Sequence, residues 1–391
     1  MQIAVIEVRY PYKMSYLDEW LAAWKRVSKD VQVFNILKQS ESLRLAKDLS
    51  KFDLIIVLHS VTADSNKWLR DLNRILVKRN CPLILFVGNE YSNPWLSMES
   101  RLQNIVEISP EIIATQLTKK AGEFLYGTSP SIVVEIPHAL PLKVPIRSSK
   151  ITRHIDLGFR GYEYPWFLLD NDRNIIVEEV SDYFSSRNLL VDVSKTERLD
   201  KNNWYNFLLS CKATVASEGG SNFVFKTDAV WHEALEYLKT IEGKKYLNND
   251  FLGAKVLRAL PSGLKSTVRI FGKMIGKEQG SMSLLPPAVL EEVLTRINIE
   301  DYQFTSGKAL TSRHLDAIFC GTWQILSPGD YNGVLRPGVH YSVWDPENPT
   351  LVLQEIEEAI DTDKSSRAYE ELIQENSYQS RINKLLDRLY S

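Results

Sequence analysis

Two doubly wound α/β domains facing a central cleft are the fold class this sequence predicts, and three observations carry that prediction. Short apolar runs rich in β-branched residues alternate with amphipathic helical stretches over the first 140 residues. A segment with three prolines, PHALPLKVPIRSSK (137–150), breaks the alternation. The alternation then restarts and runs on toward the C-terminus. Strand–helix alternation of this kind builds parallel sheets with helices on both faces.

The elements follow in order. IAVIEV (3–8) reads as a strand buried on both faces. SYLDEWLAAWKRV (15–27) places Leu17, Trp20, Leu21, Trp24 and Val27 at helical spacing. VQVFNIL (31–37), KFDLIIVLHS (51–60), CPLILFVGNE (81–90) and SIVVEIPHA (131–139) read as further strands, the last preceded by a helical stretch. DSNKWLRDLNRILVKR (64–79) is a helix capped by Asp64 or Ser65. After the proline segment, HIDLGFRG (154–161), NLLVDVS (188–194), KATVASEGG (212–220) and TWQILS (322–327) are strands. NDRNIIVEEVSDYFSSR (171–187), NNWYNFLLSC (202–211), 312–320 and most of 349–390 are helical. Expected domains are 1–142 and 143–375, with a helix at 376–391 that packs back on the first domain.

Composition excludes several classes. Forty-seven Lys and Arg stand against 49 Asp and Glu, for a net charge of -2, which argues against a nucleic-acid partner. Cys81, Cys211 and Cys320 form no C-x-x-C pair, so neither a disulfide framework nor a zinc site is expected. The opening MQIAVIEVRYPYKMSY lacks a signal-peptide core, and no run of about 18 apolar residues occurs. The expected location is cytoplasmic, with peripheral contact to the inner membrane face as an option. That option rests on an insertion at about 229–300. Between Lys239 and Lys277 nine basic residues face only Glu242 and Asp250. Within it, SGLKSTVRIFGKMIGK (262–277) is amphipathic and could rest on anionic lipid or hold a lipid-linked acceptor; a packed surface helix is the alternative.

The chemistry concentrates in TSRHLDAIFCGTWQILSPGDYNGVLRPGVHYSVWD (311–345). A polar turn, a short helix carrying Asp316, a glycine and a buried strand follow in order. A carboxylate can accept two ribose hydroxyls, while Arg313 and Lys308 can meet the charge of a diphosphate. Free N–H groups at the helix start would add to phosphate binding. A capped helix with a surface ion pair is the plainer alternative. Here the chain resembles the GT-B glycosyltransferases, specifically the family 4-like group and its CgeB-like relatives. Leu315-Asp316-Ala317-Ile318-Phe319-Cys320-Gly321 is similar to their L-E-A-M-A-x-G, in which the acidic residue binds the donor ribose. Thr311-Ser312-Arg313-His314-Leu315-Asp316-Ala317 follows the CgeB-like S-P-R-H-F-E-A, which adds His314 to the donor set. Lys308 stands where the superfamily's E-x(7)-E pattern has its first glutamate.

Three more segments extend the resemblance. HIDLGFRGYEYPWFL (154–168) is similar to Y-R-G-R-x-x-P-x-x-L-G and puts Arg160 and Gly161 at a strand end, where a diphosphate-binding arginine would sit. SCKATVASEGGSNFVF (210–225) is similar to S-C-R-A-T-L-G-S-E-S-G-S-N-V-F-D. It delivers Glu218 into the loop Gly219-Gly220-Ser221-Asn222, whose N–H groups can cradle phosphate or sugar oxygens. Glu218 is a candidate sugar ligand or catalytic base, or a surface acid in a tight turn. Gly329-Asp330-Tyr331-Asn332-Gly333 and Pro337-Gly338-Val339-His340-Tyr341 resemble E-G-x-Y-S-G and P-x-x-H-Y, implying a donor contact for Tyr331 and supporting roles for His340 and Tyr341. No G-x-G-x-x-G occurs, which weighs against an NAD enzyme.

In the first half, His59 ends a strand and is a candidate general base or acceptor contact, or an ordinary polar residue after a strand. Asn89 and Glu90 end another strand on the acceptor side, and His138 falls at the hinge. The resemblance implies the GT-B fold and transfer of a sugar from a nucleotide-sugar donor to a glycan or lipid-linked acceptor, in cell-surface polysaccharide or glycoconjugate synthesis. It implies a retaining, hexosyltransferase-like enzyme without cofactor or metal. A GT-B sugar-nucleotide epimerase and a non-catalytic nucleotide-sugar sensor are the alternatives.

Overall fold

The computed structural model describes residues 1–9, 15–63, 65–91, 93–94, 96–142, 152–240, 287–362 and 364–391. The expected membrane-contact stretch 239–277 falls almost wholly outside the described residues.

The first half builds β1 (Gln2–Glu7), α1 (Ser15–Val27), β2 (Asp30–Asn35), α2 (Gln39–Asp48), β3 (Leu54–Val57), α3 (Asn66–Leu76), β4 (Leu83–Phe86), α4 (Met98–Ile108), β5 (Ile112–Thr115), α5 (Lys119–Tyr126) and β6 (Ile132–Glu135). The strands pair in parallel in the order β2-β1-β3-β4-β5-β6. Near-continuous apolar strands are required because both faces are covered. Alternate residues such as Ile6, Val57 and Leu85 pack under α2 to α5, while Ile3, Ile56 and Phe86 pack toward α1. Each such side chain stabilises by about 1.5–3 kcal/mol. Helix α2 lies between two expected strands; it buries only Leu45, too narrow an apolar stripe to announce itself in the sequence.

The second half builds β7 (Ile155–Arg160), α6 (Asp172–Ser186), β8 (Val191–Ser194), α7 (Lys201–Ser210), β9 (Cys211–Ala216), β10 (Val224–Phe225), α8 (Ala229–Thr240), α9 (Pro287–Arg296), β11 (Phe304–Thr305), α10 (Ser312–Phe319), β12 (Trp323–Leu326) and β13 (Ser342–Val343). Helices α11 (Thr350–Asp361), α12 (Lys364–Asn376) and α13 (Tyr378–Tyr390) close the chain. Its parallel sheet has the order β13-β12-β9-β7-β8, with β10 and β11 forming a separate antiparallel ribbon.

The halves interlock. Tyr378, Ile382 and Leu385 of α13 join the first-half core beside Trp20 and Trp24, with the Tyr378 and Trp20 rings 4.9 Å apart. Asp228, just before α8, caps α4 from the other domain by accepting from the Met98 N–H at 2.8 Å and from the Ser97 hydroxyl. Glu99 returns the contact, accepting from the Asp228 N–H at 3.0 Å. No helix among the described residues is long and apolar enough to cross a membrane.

Both sheets reverse strand order at one place, between β1 and β3 and between β7 and β9. Crevices at the carboxyl ends of strands flanking such a reversal are where open α/β sheets bind ligands.

Candidate ligand site

Above β7 and β9 the sequence assembles an excess of guanidinium groups. Arg313 projects from the first turn of α10, whose start is fixed by a capping box. The Thr311 N–H donates to His314 Nδ1 at 3.1 Å, which leaves the proton on Nε2 to donate to the Ser217 carbonyl, also at 3.1 Å. Burial, then Arg173 and Arg313, push His314 down to about 3, so it stays neutral. Arg313 itself lies between the rings of Phe159 and Trp204, at 5.0 and 5.1 Å, and its buried Nη1 has no hydrogen-bond partner among the described residues. Burial, and next the neighbouring Arg173, lower it to about 9.

Arg173 of α6 is buried, sits 3.9 Å over the Tyr164 ring and leaves Nε unpartnered. Burial is the first cause that lowers its pKa, and the exposed Arg198, 5.1 Å over Tyr162, also disfavours its charge. Three cations gather here, and an unpaired buried charge is costly. Such an arrangement fits an anionic ligand better than a structural role. Neither Arg173 nor Arg198 belongs to a recognisable motif. Their only signal in the sequence is a basic residue one turn into the helix after β7 and another in the loop after β8.

Asp316 sits one turn beyond Arg313. Its Oδ2 accepts from Trp204 Nε1 at 3.0 Å and its Oδ1 from the Tyr205 hydroxyl at 3.3 Å. Burial pushes it up to about 6 against the pull of those two donors. A carboxylate so held retains lone pairs for two ligand hydroxyls.

The other expected donor residues have different partners. Arg160 is committed to Asp192, with Nη2 at 2.7 Å from both carboxylate oxygens and Nη1 donating to the Asp192 carbonyl at 2.9 Å. Lys308 is paired with Asp170 at 2.7 Å and Asp172 at 2.8 Å. Burial alone would lower its pKa, but Asp170 and then Asp172 outweigh it and the net shift is upward. Gly219 and Gly220 press against the returning segment 307–311, which meets Gly219 through an antiparallel bridge at Ala309. A Cβ on Gly219 would lie 2.1 Å from Thr311 Cγ2, and one on Gly220, at φ +92, would lie 2.0 Å from the Gly307 carbonyl. Close approach of chain to chain therefore demands these glycines. Ser221 is buried with its hydroxyl donating to the Phe223 carbonyl at 2.8 Å, and Asn222 is exposed. Gly161 lies under Arg313.

Glu218 is buried, and burial raises its pKa; its Oε1 accepts from the Tyr331 N–H at 2.7 Å. Tyr331 (φ 49) and Asn332 (φ 54) are both left-handed, a conformation costing non-glycine residues about 1–3 kcal/mol each. His59 is 1% exposed, and among the described residues both ring nitrogens lack hydrogen-bond partners. Burial, then His138, hold it well below its usual pKa. Its ring contacts are Tyr16, Trp20, Phe86 and His138, and none joins it to the Arg313–Asp316 group. Glu90 is buried under Thr115, Gln116 and Tyr126 donors, and burial raises it to about 7.

No protein-family model and no curated protein matches the sequence. Among solved structures, HepE from Anabaena in complex with UDP aligns over 100% of this chain and 99% of its own, at a TM-score of 0.52 and 11% identity. The same protein with UDP and glucose covers 100% of both chains at 0.51 and 12% identity. At that identity the likeness is one of fold. The chain is an α/β protein of two Rossmann-like domains with the GT-B architecture.

Proposed function

We propose that this protein is a glycosyltransferase that takes a nucleotide-sugar donor in the crevice above β7 and β9. One observation carries the reading: Nη1 of Arg313, buried and without a hydrogen-bond partner among the described residues, lies beside Arg173, whose Nε likewise lacks one. The resemblance of 311–317 to the family 4-like and CgeB-like motifs supports it, as does the shared fold with a protein that binds UDP. Arg313 and Arg173 meet the charge of the donor diphosphate, and Asp316 accepts the ribose hydroxyls. In the reaction the bond from the anomeric carbon to the diphosphate oxygen breaks and a bond to an acceptor hydroxyl oxygen forms. The acceptor proton leaves to a base or to the departing phosphate. Fixed guanidinium groups lower the barrier because the negative charge on the leaving oxygen grows as that bond breaks. A glycan or lipid-linked acceptor, retention of configuration and a role in surface polysaccharide synthesis follow from the family likeness alone.

The test is a screen of UDP-, GDP- and dTDP-sugars for binding, hydrolysis and transfer, with Arg313→Met and Arg173→Met as controls. Turnover lost in both variants supports the assignment. Binding and turnover unchanged in both would overturn it, and tight binding with no turnover under any acceptor would favour a sensor.

A further inference from the structure

Tyr331, Asn332 and Gly333 are three consecutive left-handed residues, at φ 49, 54 and 64; Asn and Gly tolerate this conformation, whereas the Tyr331 side chain disfavours it. Contacts on three sides hold the turn. Glu218 Oε1 accepts from the Tyr331 N–H at 2.7 Å, and Oε2 lies so near Gly329 that a Cβ there would come within 2.6 Å. The Tyr331 ring is fully buried against His314 at 5.1 Å and Tyr341 at 5.2 Å. Asn332 then reaches both domains. Its Oδ1 accepts from the Leu310 N–H at 2.7 Å, while its Nδ2 donates to Glu135 Oε1 at 2.9 Å and to the Gln116 carbonyl at 3.3 Å. Glu135 ends β6 and is itself anchored, its Oε2 accepting from the Lys119 N–H at 2.8 Å.

We propose that Glu218 is a positioning residue whose task is to hold this turn, and that Asn332 is the clamp by which the ligand crevice closes the two domains on each other. The turn has a natural second state. Released from Glu218, Tyr331 and Asn332 relax to negative φ and the Asn332 amide leaves Glu135. The link to the crevice is physical. His314 contacts Tyr331 with its ring and caps the helix that presents Arg313. A ligand drawing Arg313 and His314 into place favours the clamped state, and by reciprocity the clamp raises affinity for that ligand. The choice of probe rests on the nucleotide-sugar reading; the clamp itself does not.

The experiment uses the full chain with spin labels at Leu43→Cys and Leu190→Cys, both exposed, in a Cys81→Ser background; Cys211 and Cys320 are buried. Interdomain distances are measured with and without UDP, alongside UDP affinity. Asn332→Asp sets a carboxylate against Glu135 while still accepting from Leu310. It is expected to lengthen or broaden the distance distribution and weaken UDP by roughly 5–50-fold. Asn332→Asp with Glu135→Gln reverses donor and acceptor at that pair but leaves the Gln116 carbonyl facing a carboxylate, and is expected to recover both readouts in part. Glu218→Met, which removes the acceptor of the Tyr331 N–H, is expected to behave like Asn332→Asp. An unchanged distance distribution in folded Asn332→Asp, or no recovery in the folded double variant, would overturn the clamp. If the wild-type chain binds none of UDP, GDP and dTDP, the nucleotide-sugar reading fails, and the distances without ligand still decide the clamp.

Discussion

Gly161 lies directly beneath the Arg313 guanidinium: a Cβ at position 161 would come within 3.1 Å of Nη2 and 2.9 Å of Phe159 Cζ. The glycine after β7 thus makes room for the cation. Gly161→Ala is expected to displace Arg313 and weaken UDP at least tenfold. Thermal melting should fall as well, since the added methyl also presses on the buried Phe159 ring. Calorimetric titration against UDP checks this; unchanged affinity would separate Arg313 from the ligand.

Arginines with and without carboxylate partners should respond in opposite senses. Arg313→Met removes an unpaired buried charge, so the ligand-free protein should melt higher while UDP affinity falls by roughly 10–100-fold, the worth of one or two charge-assisted hydrogen bonds. Arg160→Met leaves Asp192 without its partner and should lower stability with a smaller effect on UDP. Paired melting and titration of both variants test the contrast, which fails if Arg160→Met costs more affinity than Arg313→Met.

The pH dependence follows from Asp316. An acid whose folded pKa rises to about 6 binds its proton more tightly when folded than when unfolded. Its contribution therefore disfavours the fold above about pH 6 and fades as pH falls toward its ordinary value. Asp316→Asn, which can still accept from Trp204 and donate to the Tyr205 hydroxyl, should be more stable than wild type at pH 8. UDP affinity in the wild type should drop as pH falls through about 6, because the protonated acid accepts hydroxyls poorly. Titrations from pH 5 to 8 read both effects; a flat affinity profile would remove Asp316 from the ligand contacts.

His314 should not titrate. Its pKa is pushed to about 3, so its ring resonances are expected to stay constant between pH 5 and 8 in an NMR titration. His314→Ala leaves the Thr311 N–H and the Ser217 carbonyl without their partner and opens a cavity. A loss of about 2–4 kcal/mol in denaturant unfolding is expected.

The alternation of strands and helices was legible because burial of both sheet faces forces continuous apolar runs, and helices between them need only one apolar stripe. Helix α2 escaped because it buries so little. Asp316 and Arg313 were legible as a motif, since one helical turn brings residues 313 and 316 onto the same face whatever the surroundings. Arg160 and Arg173 show where local reasoning ends. Both are arginines near β7, and nothing in their neighbours in sequence says that Asp192, from the adjacent strand, takes the first.

By itself, then, the sequence determined the two parallel α/β domains and the local face that Asp316 and Arg313 share, because both follow from periodicities of two and 3.6 residues. Tertiary structure alone decided which cations are neutralised and which glycines make way for chain or for cation. It also brought Glu218 within hydrogen-bond reach of the Tyr331 N–H at the left-handed turn. Those outcomes depend on partners more than 30 residues away along the chain: Asp192 lies 32 from Arg160, and Tyr331 lies 113 from Glu218. Charge pairing is settled by distance in space, which no local pattern encodes.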